Sequence, residues 1–423
     1  MRILVTGAYG LIGSACLARL HAAGHDLVAA GRAAAPRRRF AYAHWVTADF
    51  ARLTKPELWL PLLAGIDAVV NCVGALQDGA RDNVQRVQFD GTVALFEACV
   101  QAEVKRLVHI SAIGAEPEGP SAFSRSKAAA EARLKTLALE WVIVRPGLVL
   151  GPAAHGGSAL LRGLAAFPLC LPLVGADAPI QIVDIDDVAE TVARAIAPAA
   201  PAKAVWDVAH PQVHTLADIV RAMRAWLGFR PRRAVRLPRA PATVLAWLGD
   251  AAGWLGWRSP VSSTGLLQLE AGVVGDPHDW MAATGIEPRS LDALLTARPA
   301  GVQDRWFARL YLLKPLAIFG LAVATAASGV LAIIASVQRS GTFGPFEPEV
   351  MPGFMWGAIA IILALCLTVR ATVRGALIVL IVLTFGHAAS SPLSGSAYAL
   401  VPLATDIPPL LAMLLTLAIL DER

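Results

Sequence analysis

A chain of 423 residues is longer than one hydrophobic core ordinarily fills, so two domains are expected. Hydrophobic residues make up 56% and charged residues 16%, with a mean hydropathy of +0.56, a balance foreign to an ordinary soluble protein. The net charge of +5 resides largely in Arg37, Arg38 and Arg39 and in the stretch from Arg230 to Arg239, without interleaved aromatics, so a basic face near an anionic inner leaflet is preferred and no nucleic acid is expected. The five cysteines, Cys16, Cys72, Cys99, Cys170 and Cys366, show no CxxC or metal-ligand spacing; they read as reduced core thiols, with no metal site.

The first seven residues, Met-Arg-Ile-Leu-Val-Thr-Gly, already read as a strand and a turn, leaving no room for a signal peptide. A strand is predicted over residues 3–6 and a helix over 11–23. Further strands follow at 26–30, 67–72, 106–111 and 141–145, with a helix over about 124–139. Alternation of strand and helix with short turns predicts a doubly wound parallel α/β sheet of Rossmann type. From about Gly151 the spacing loosens and proline-rich turns appear, the mark of a small, discontinuous substrate lobe. Residues 1–300 are thus expected as one α/β domain, 301–311 as a linker, and 312–423 as a transmembrane four-helix bundle.

The motif that carries chemistry is Thr6-Gly7-Ala8-Tyr9-Gly10-Leu11-Ile12-Gly13, placed between the first strand and the first helix. Gly7 permits a tight turn, Gly10 lets a pyrophosphate approach the backbone, and Gly13 lets the helix pack close to the sheet. The phosphates would sit on the free N–H groups and the positive end of the helix dipole.

This spacing resembles that of the short-chain dehydrogenase/reductase superfamily, in its extended and atypical branches. Asp49-Phe50 resembles the pair flanking the adenine, and Asn71-Cys72-Val73-Gly74 the NxxG stretch after the fourth strand. Ser111 occupies the place of the active-site serine. Arg145-Pro146-Gly147 with Gly151-Pro152 resembles the segment beside the nicotinamide, and residues 181–189 a stretch typical of the same proteins. The resemblance covers about residues 1–295 and implies NAD(P) bound by Thr6, Gly7, Tyr9, Gly10, Leu11, Ile12, Gly13, Arg32, Asp49, Asn71, Gly74, Lys127 and Pro146.

An acidic residue at the end of the second strand would select NAD(H); here that strand ends Ala30-Gly31-Arg32, with Asp26 too early, and NADP(H) is favoured over NAD(H). The superfamily's Tyr-x-x-x-Lys appears as Phe123-Ser124-Arg125-Ser126-Lys127. Lys127 matches, but Phe123 has no proton to give, so the usual general acid is missing. Two substitutes are considered: Ser111 orienting a carbonyl with Ser124, Ser126 or water relaying the proton, and His155 in a glycine-rich loop. Members lacking the tyrosine, such as the accessory subunit of respiratory complex I with this fold, imply a second possibility, a nucleotide-bound scaffold or redox sensor. An epimerase or dehydratase of sugar nucleotides ranks last, since it also needs the tyrosine.

Four apolar runs follow, at about 312–337, 353–369, 374–389 and 400–420. A bilayer span needs about 20 residues, which the first and last reach. Arg305, Arg309 and Lys314 precede the first run and Arg370 and Arg374 lie between the second and third, whereas the first loop sets Arg339 against Glu347 and Glu349. Both termini and the α/β domain are therefore expected on the cytoplasmic side of the inner membrane. The tail resembles the DoxX-like membrane family, which implies quinone-linked redox chemistry. The expected partners are the lipid bilayer, a quinone or lipid substrate, and a membrane protein. Helix arithmetic brings His387 and Asp406 to one depth, either as a functional pair or as solvated interface residues. Trp247, Trp254 and Trp257, at near-helical spacing, form either core or a lipid-facing surface, core being preferred.

Overall fold

The computed structural model describes residues 1–32, 39–80, 82–259, 261–340, 351–390 and 400–420. The chain divides into two compact units: Met1–Trp254 with Arg258–Arg305, and Leu255–Trp257 with Trp306–Arg423. Arg37, Arg38, Glu347 and Glu349 lie outside the described residues; Arg39 is described and places its guanidinium 5.9 Å from the Phe40 ring.

The first unit is built on a parallel sheet of β1 (Arg2–Thr6), β2 (Asp26–Gly31), β3 (His44–Thr47), β4 (Ala68–Asn71), β5 (Arg106–Ile110), β6 (Glu140–Pro146) and a seventh strand, Ala204–Val208. Their spatial order, seventh-β6-β5-β4-β1-β2-β3, reverses direction between β1 and β4, the switch point at which doubly wound sheets bind ligands. Strand residues alternate between two cores. Ile3, Val5, Val70, Val108 and Val144 face one layer of helices, and Leu4, Val69, Leu107 and Ile143 face the other. Burial on both faces explains why these strands read as continuous apolar runs. Each fully buried Val, Leu or Ile contributes about 1.5–3 kcal/mol. Register brings Thr6, Asn71 and the ends of β5 and β6 to the same edge.

After β6 the regular repeat gives way to short pairs: Leu148–Leu150 with Ile182–Asp184, Pro179–Ile180 with His214–Thr215, and Leu171–Leu173 with Ala234–Arg236. Asp184 is fully buried and accepts from Arg289 Nη1 at 2.7 Å and Arg298 Nη1 at 2.9 Å. Two guanidinium partners offset the cost of burying its charge and tie this lobe together.

The preference for core is corrected by the structure at Trp247 and Trp254, whereas Trp257 is half-buried and packs against the core of the second unit. Trp247 and Trp254, on the helix Arg239–Trp254, are 64% and 65% exposed. The reason is steric: the inward face is Ala246, Gly249 and Gly253, and a Cβ on Gly249 would lie 1.7 Å from the Val261 carbonyl oxygen. Only small residues fit there, so the large ones point out.

From Val302 on the chain forms the helices Val302–Ser340, Met351–Thr368, Val373–Ser390 and Leu400–Ala418, which make up the second unit from Trp306 onward. The expected linker at 301–311 is therefore helical from Val302, as it holds no glycine or proline after Gly301 to stop the turn. Two helices, over 302–338 and Met351–Thr368, are long and apolar enough to cross a membrane; the other two are shorter in their described apolar stretch. Ile318, Leu321, Leu367, Leu377, Leu380 and Met413 form its core. Gly329 and Gly357 let two helices touch backbone to backbone, since a Cβ on either would come within 2.6 Å of the other's oxygen. His387 Nδ1 and Asp406 Oδ2 are 2.7 Å apart, so the helix arithmetic brings the right pair together. Trp257 donates from Nε1 to the Thr368 carbonyl at 2.6 Å, and Arg370 lies 5.5 Å from its ring.

Candidate functional site

The glycine turn forms as its spacing requires. Gly7 takes φ +64°, a left-handed conformation, and a Cβ there would meet the Cys72 carbonyl oxygen at 2.8 Å. A Cβ on Gly13 would lie 2.3 Å from the Gly7 carbonyl oxygen, so any other residue would push the helix off the turn. Gly10 donates to the Gly7 carbonyl at 2.9 Å and caps the helix Leu11–Ala22. No side chain caps that helix and its first turn holds no acidic residue, so the N–H groups of Leu11, Ile12 and Gly13 face outward as an anion cradle. Tyr9 packs its ring over Gly31, where a Cβ would come within 2.6 Å of it.

At the adenine end, Arg32 pairs with Asp82 at 2.6 Å, and Arg258 lies 3.9 Å from the same carboxylate. Asp49 accepts from its own neighbour, Ala51 N, at 3.2 Å, and Phe50 is buried against Trp59 with ring centroids 4.8 Å apart. Asn71 is fully buried. Its Oδ1 accepts from Thr6 Oγ1 at 2.7 Å and from Val73 N at 3.2 Å, and Nδ2 lies 3.2 Å from His109 Nδ1. Thr6 and Asn71 thus clasp the ends of β1, β4 and β5 and shape the floor of the turn by positioning backbone.

At the other end stands Lys127, on the helix Ala122–Lys135 that Ser121 caps. Its ammonium is buried and donates to the Ile110 carbonyl at 2.7 Å, and a Cβ on Gly74 would stand 3.9 Å from it. Burial pulls its pKa down to about 8, against the opposing pull of Glu131 and Cys72. An ammonium has three donors. Among the described residues only the Ile110 carbonyl takes one, so the remainder suit the hydroxyls of a ribose.

Ser111 is placed differently from expectation. Its hydroxyl is buried and donates to Glu131 Oε1 at 2.6 Å, and Arg145 holds the same carboxylate through Nε at 2.9 Å and Nη2 at 2.5 Å. Glu131 therefore takes the Ser111 hydroxyl as its donor, which withdraws Ser111 from donating to a carbonyl. Glu131 was missed in the sequence, although its place four residues after Lys127 puts both on one helical face. Phe123 is half-buried with no hydroxyl to offer, Ser126 donates to the Phe123 carbonyl at 3.0 Å, and Ser124 and Ser121 both accept from Gln268 Nε2 at 2.7 Å. His155 caps the helix Gly156–Ala165, exchanging bonds with Ser158 through its backbone. Pro146 ends β6, where its carbonyl accepts from Ile113 N at 3.3 Å.

Residues 7–167 match a family model described as NAD(P)H-binding. The solved structure of the Bordetella bronchiseptica enzyme WbmG with NAD covers 70% of this chain and 92% of its own at a TM-score of 0.53 and 20% identity. The N-terminal unit thus has a Rossmann-type fold and carries, over residues 7–167, a match to NAD(P)H-binding proteins. An uncharacterized protein of Mycobacterium tuberculosis is 31% identical over 196 residues, 46% of this chain, and the aligned stretch spans only 20% of that longer relative. The 40 kDa subunit of mitochondrial NADH-ubiquinone oxidoreductase from Neurospora crassa is 24% identical over 68% of this chain and 76% of its own length. A ceramide reductase from Caulobacter vibrioides is 26% identical over 59% of this chain and 83% of its own.

Proposed function

We propose that the chain is a membrane-anchored NAD(P)H-dependent oxidoreductase acting on an apolar, quinone-like or lipid-like substrate without a tyrosine acid. The observation that carries this is Lys127. Burying an ammonium with a single acceptor among the described residues costs stability, and at the carboxyl edge of the sheet a ligand that takes its other donors would offset that cost. When bound, the reduced nicotinamide supplies a hydride. The anion cradle at Leu11–Gly13 holds the pyrophosphate, and Lys127 holds and orients the nicotinamide ribose. With Phe123 at the acid position and Ser111 committed to Glu131, the substrate must tolerate reduction without a dedicated acid. A quinone does, because its ring delocalises the charge that hydride delivers; the proton comes from water or from Lys127, whose pKa of about 8 lets it release one near neutral pH.

Membrane anchoring rests on the two long apolar helices and on the outward-facing Leu316, Phe319, Leu331, Ile362 and Leu365 they carry. The positions of Arg305, Arg309, Lys314, Arg370 and Arg374 support a reading with four spans in all and with the Rossmann unit and both termini on the cytoplasmic side of the inner membrane. The same apolar surface offers a face to a membrane-protein partner. The names of the Neurospora and Caulobacter relatives, one linked to ubiquinone and one to ceramide, favour a membrane-dissolved substrate. For the cofactor we favour NADP(H), with Arg32 turning from Asp82 to the 2′-phosphate.

The test is full-length protein in nanodiscs, given NADPH and then a water-insoluble quinone while nicotinamide absorbance is followed. Quinone-dependent oxidation is expected. Tight binding without oxidation by quinones or long-chain ketones would instead establish the nucleotide-bound scaffold or sensor, the second reading that Phe123 and the Ser111–Glu131 bond favour.

A further inference from the structure

The helix Arg239–Trp254 is built inside out. Its buried positions are Ala246, Gly249 and Gly253, whereas Val244, Leu245, Trp247, Leu248 and Trp254 are 53–65% exposed. A soluble helix places its large apolar residues inward and its polar ones outward. This one has Arg239, Thr243 and Asp250 as its only polar side chains, and Asp250 is turned back to accept from Ser263 N at 3.1 Å. A contiguous outward face of this kind marks a surface that meets something apolar.

Two further observations name what it meets. Charge comes first: exposed Arg230, Arg232 and Arg233 precede the helix and exposed Arg258 follows it, a cationic rim suited to phosphate headgroups. Chain continuity comes second. Trp254 is followed directly by Leu255–Trp257, which belong to the second unit, where the Leu255 carbonyl accepts from Arg370 N at 2.9 Å. Arg370 lies in the turn between the helices Met351–Thr368 and Val373–Ser390, the basic turn assigned above to the cytoplasmic surface. The helix therefore runs into the second unit with no intervening linker.

We infer that the helix Arg239–Trp254 lies in the plane of an anionic lipid leaflet, its large apolar face among the acyl chains and its arginine rim at the headgroups. Its small-residue face belongs to the cofactor unit: the Gly253 carbonyl accepts from Ala80 N at 3.2 Å, and the next helix, Ser263–Ala271, brings Gln268 onto Ser121 and Ser124 at the start of the Lys127 helix. One element therefore touches lipid on one side and leads to the nicotinamide end on the other, so the substrate class it serves is a lipid-dissolved molecule drawn from the cytoplasmic leaflet. The inference rests on the membrane-anchored reading above.

The experiment compares full-length wild type with the double variant Trp247→Phe, Trp254→Phe, conservative at exposed positions, in proteoliposomes of phosphatidylglycerol and brominated phosphatidylcholine. Alkaline carbonate washing is run beside it. Retention of both proteins, with the lipid-quenched share of tryptophan emission falling by about half in the double variant as Trp306 and Trp356 remain, is the expected result. Retention with identical quenching in the two proteins overturns the lipid-facing helix and leaves the anchored reading standing. Protection of the two tryptophans from both brominated lipid and aqueous acrylamide also overturns it, in favour of a second copy of the chain as cover. Release into the wash overturns the anchored reading and this inference with it.

Discussion

Two helices of the first unit break the usual inside-outside rule in opposite senses. Ala122–Lys135 buries Ser124, Ser126, Lys127 and Glu131, and Arg239–Trp254 exposes tryptophan, leucine and valine while burying glycine. Each departure carries a cost, and on the proposed reading each is offset by a ligand: a nucleotide for the first, an apolar medium for the second. Polar groups buried with partners to spare, and apolar groups with no partner at all, are where function is written in this molecule.

The comparison breaks most sharply at Glu131. Glu131→Ala leaves the Arg145 charge and the Ser111 hydroxyl without their acceptor and is expected to cost about 3–5 kcal/mol, read by denaturant unfolding in detergent. Glu131→Gln should cost clearly less; equal losses would show that volume, not charge pairing, holds this site.

Lys127 gives a pH signature of the same buried polarity. Its pKa in the fold is about 8, below the ordinary 10.5, so the unfolded chain binds more protons between those values. Stability should therefore rise as pH climbs from about 8 towards 10.5, by up to about 3 kcal/mol, and show no dependence on this group below about pH 8. Lys127→Met should lose that slope and bind nucleotide at least about tenfold more weakly. A variant that keeps the slope assigns it to another group.

On the inverted helix the two faces should respond oppositely. Gly249→Ala drives a Cβ into the Val261 carbonyl and is expected to cost about 1–3 kcal/mol, whereas Leu248→Ser on the opposite face should change stability in detergent by less than about 0.5 kcal/mol. A large loss from Leu248→Ser would mean that this face is covered by protein. Smaller still is the expected effect of His387→Ala, about 0.6 kcal/mol, the average for a polar pair between membrane helices.

Much of this was legible in the sequence because the relevant signals are local. The glycine turn, the strand periods and the position of Lys127 each depend on a few adjacent residues, and the structure places them within a residue or two of expectation. His387 and Asp406 were also within reach, because rise per residue fixes depth in antiparallel helices. What stayed hidden depends on pairing across the chain. Nothing near Arg32 announces Asp82, and nothing near Ser111 announces that Glu131 and Arg145 will take its hydroxyl. Trp247 and Trp254 were misjudged for a related reason: Ala246, Gly249 and Gly253 define the inward face only once Val261 is known to press against it.

Nucleotide binding to the full-length protein in nanodiscs, titrated with NADPH and NADH by calorimetry and repeated on Gly13→Val, tests the central claim most directly. The account predicts binding by the wild type, tighter for NADPH, and its loss in Gly13→Val, where a side chain would strike the Gly7 carbonyl and push the helix off the turn. Failure of the wild type to bind either nucleotide, or unaltered binding by Gly13→Val, would contradict it.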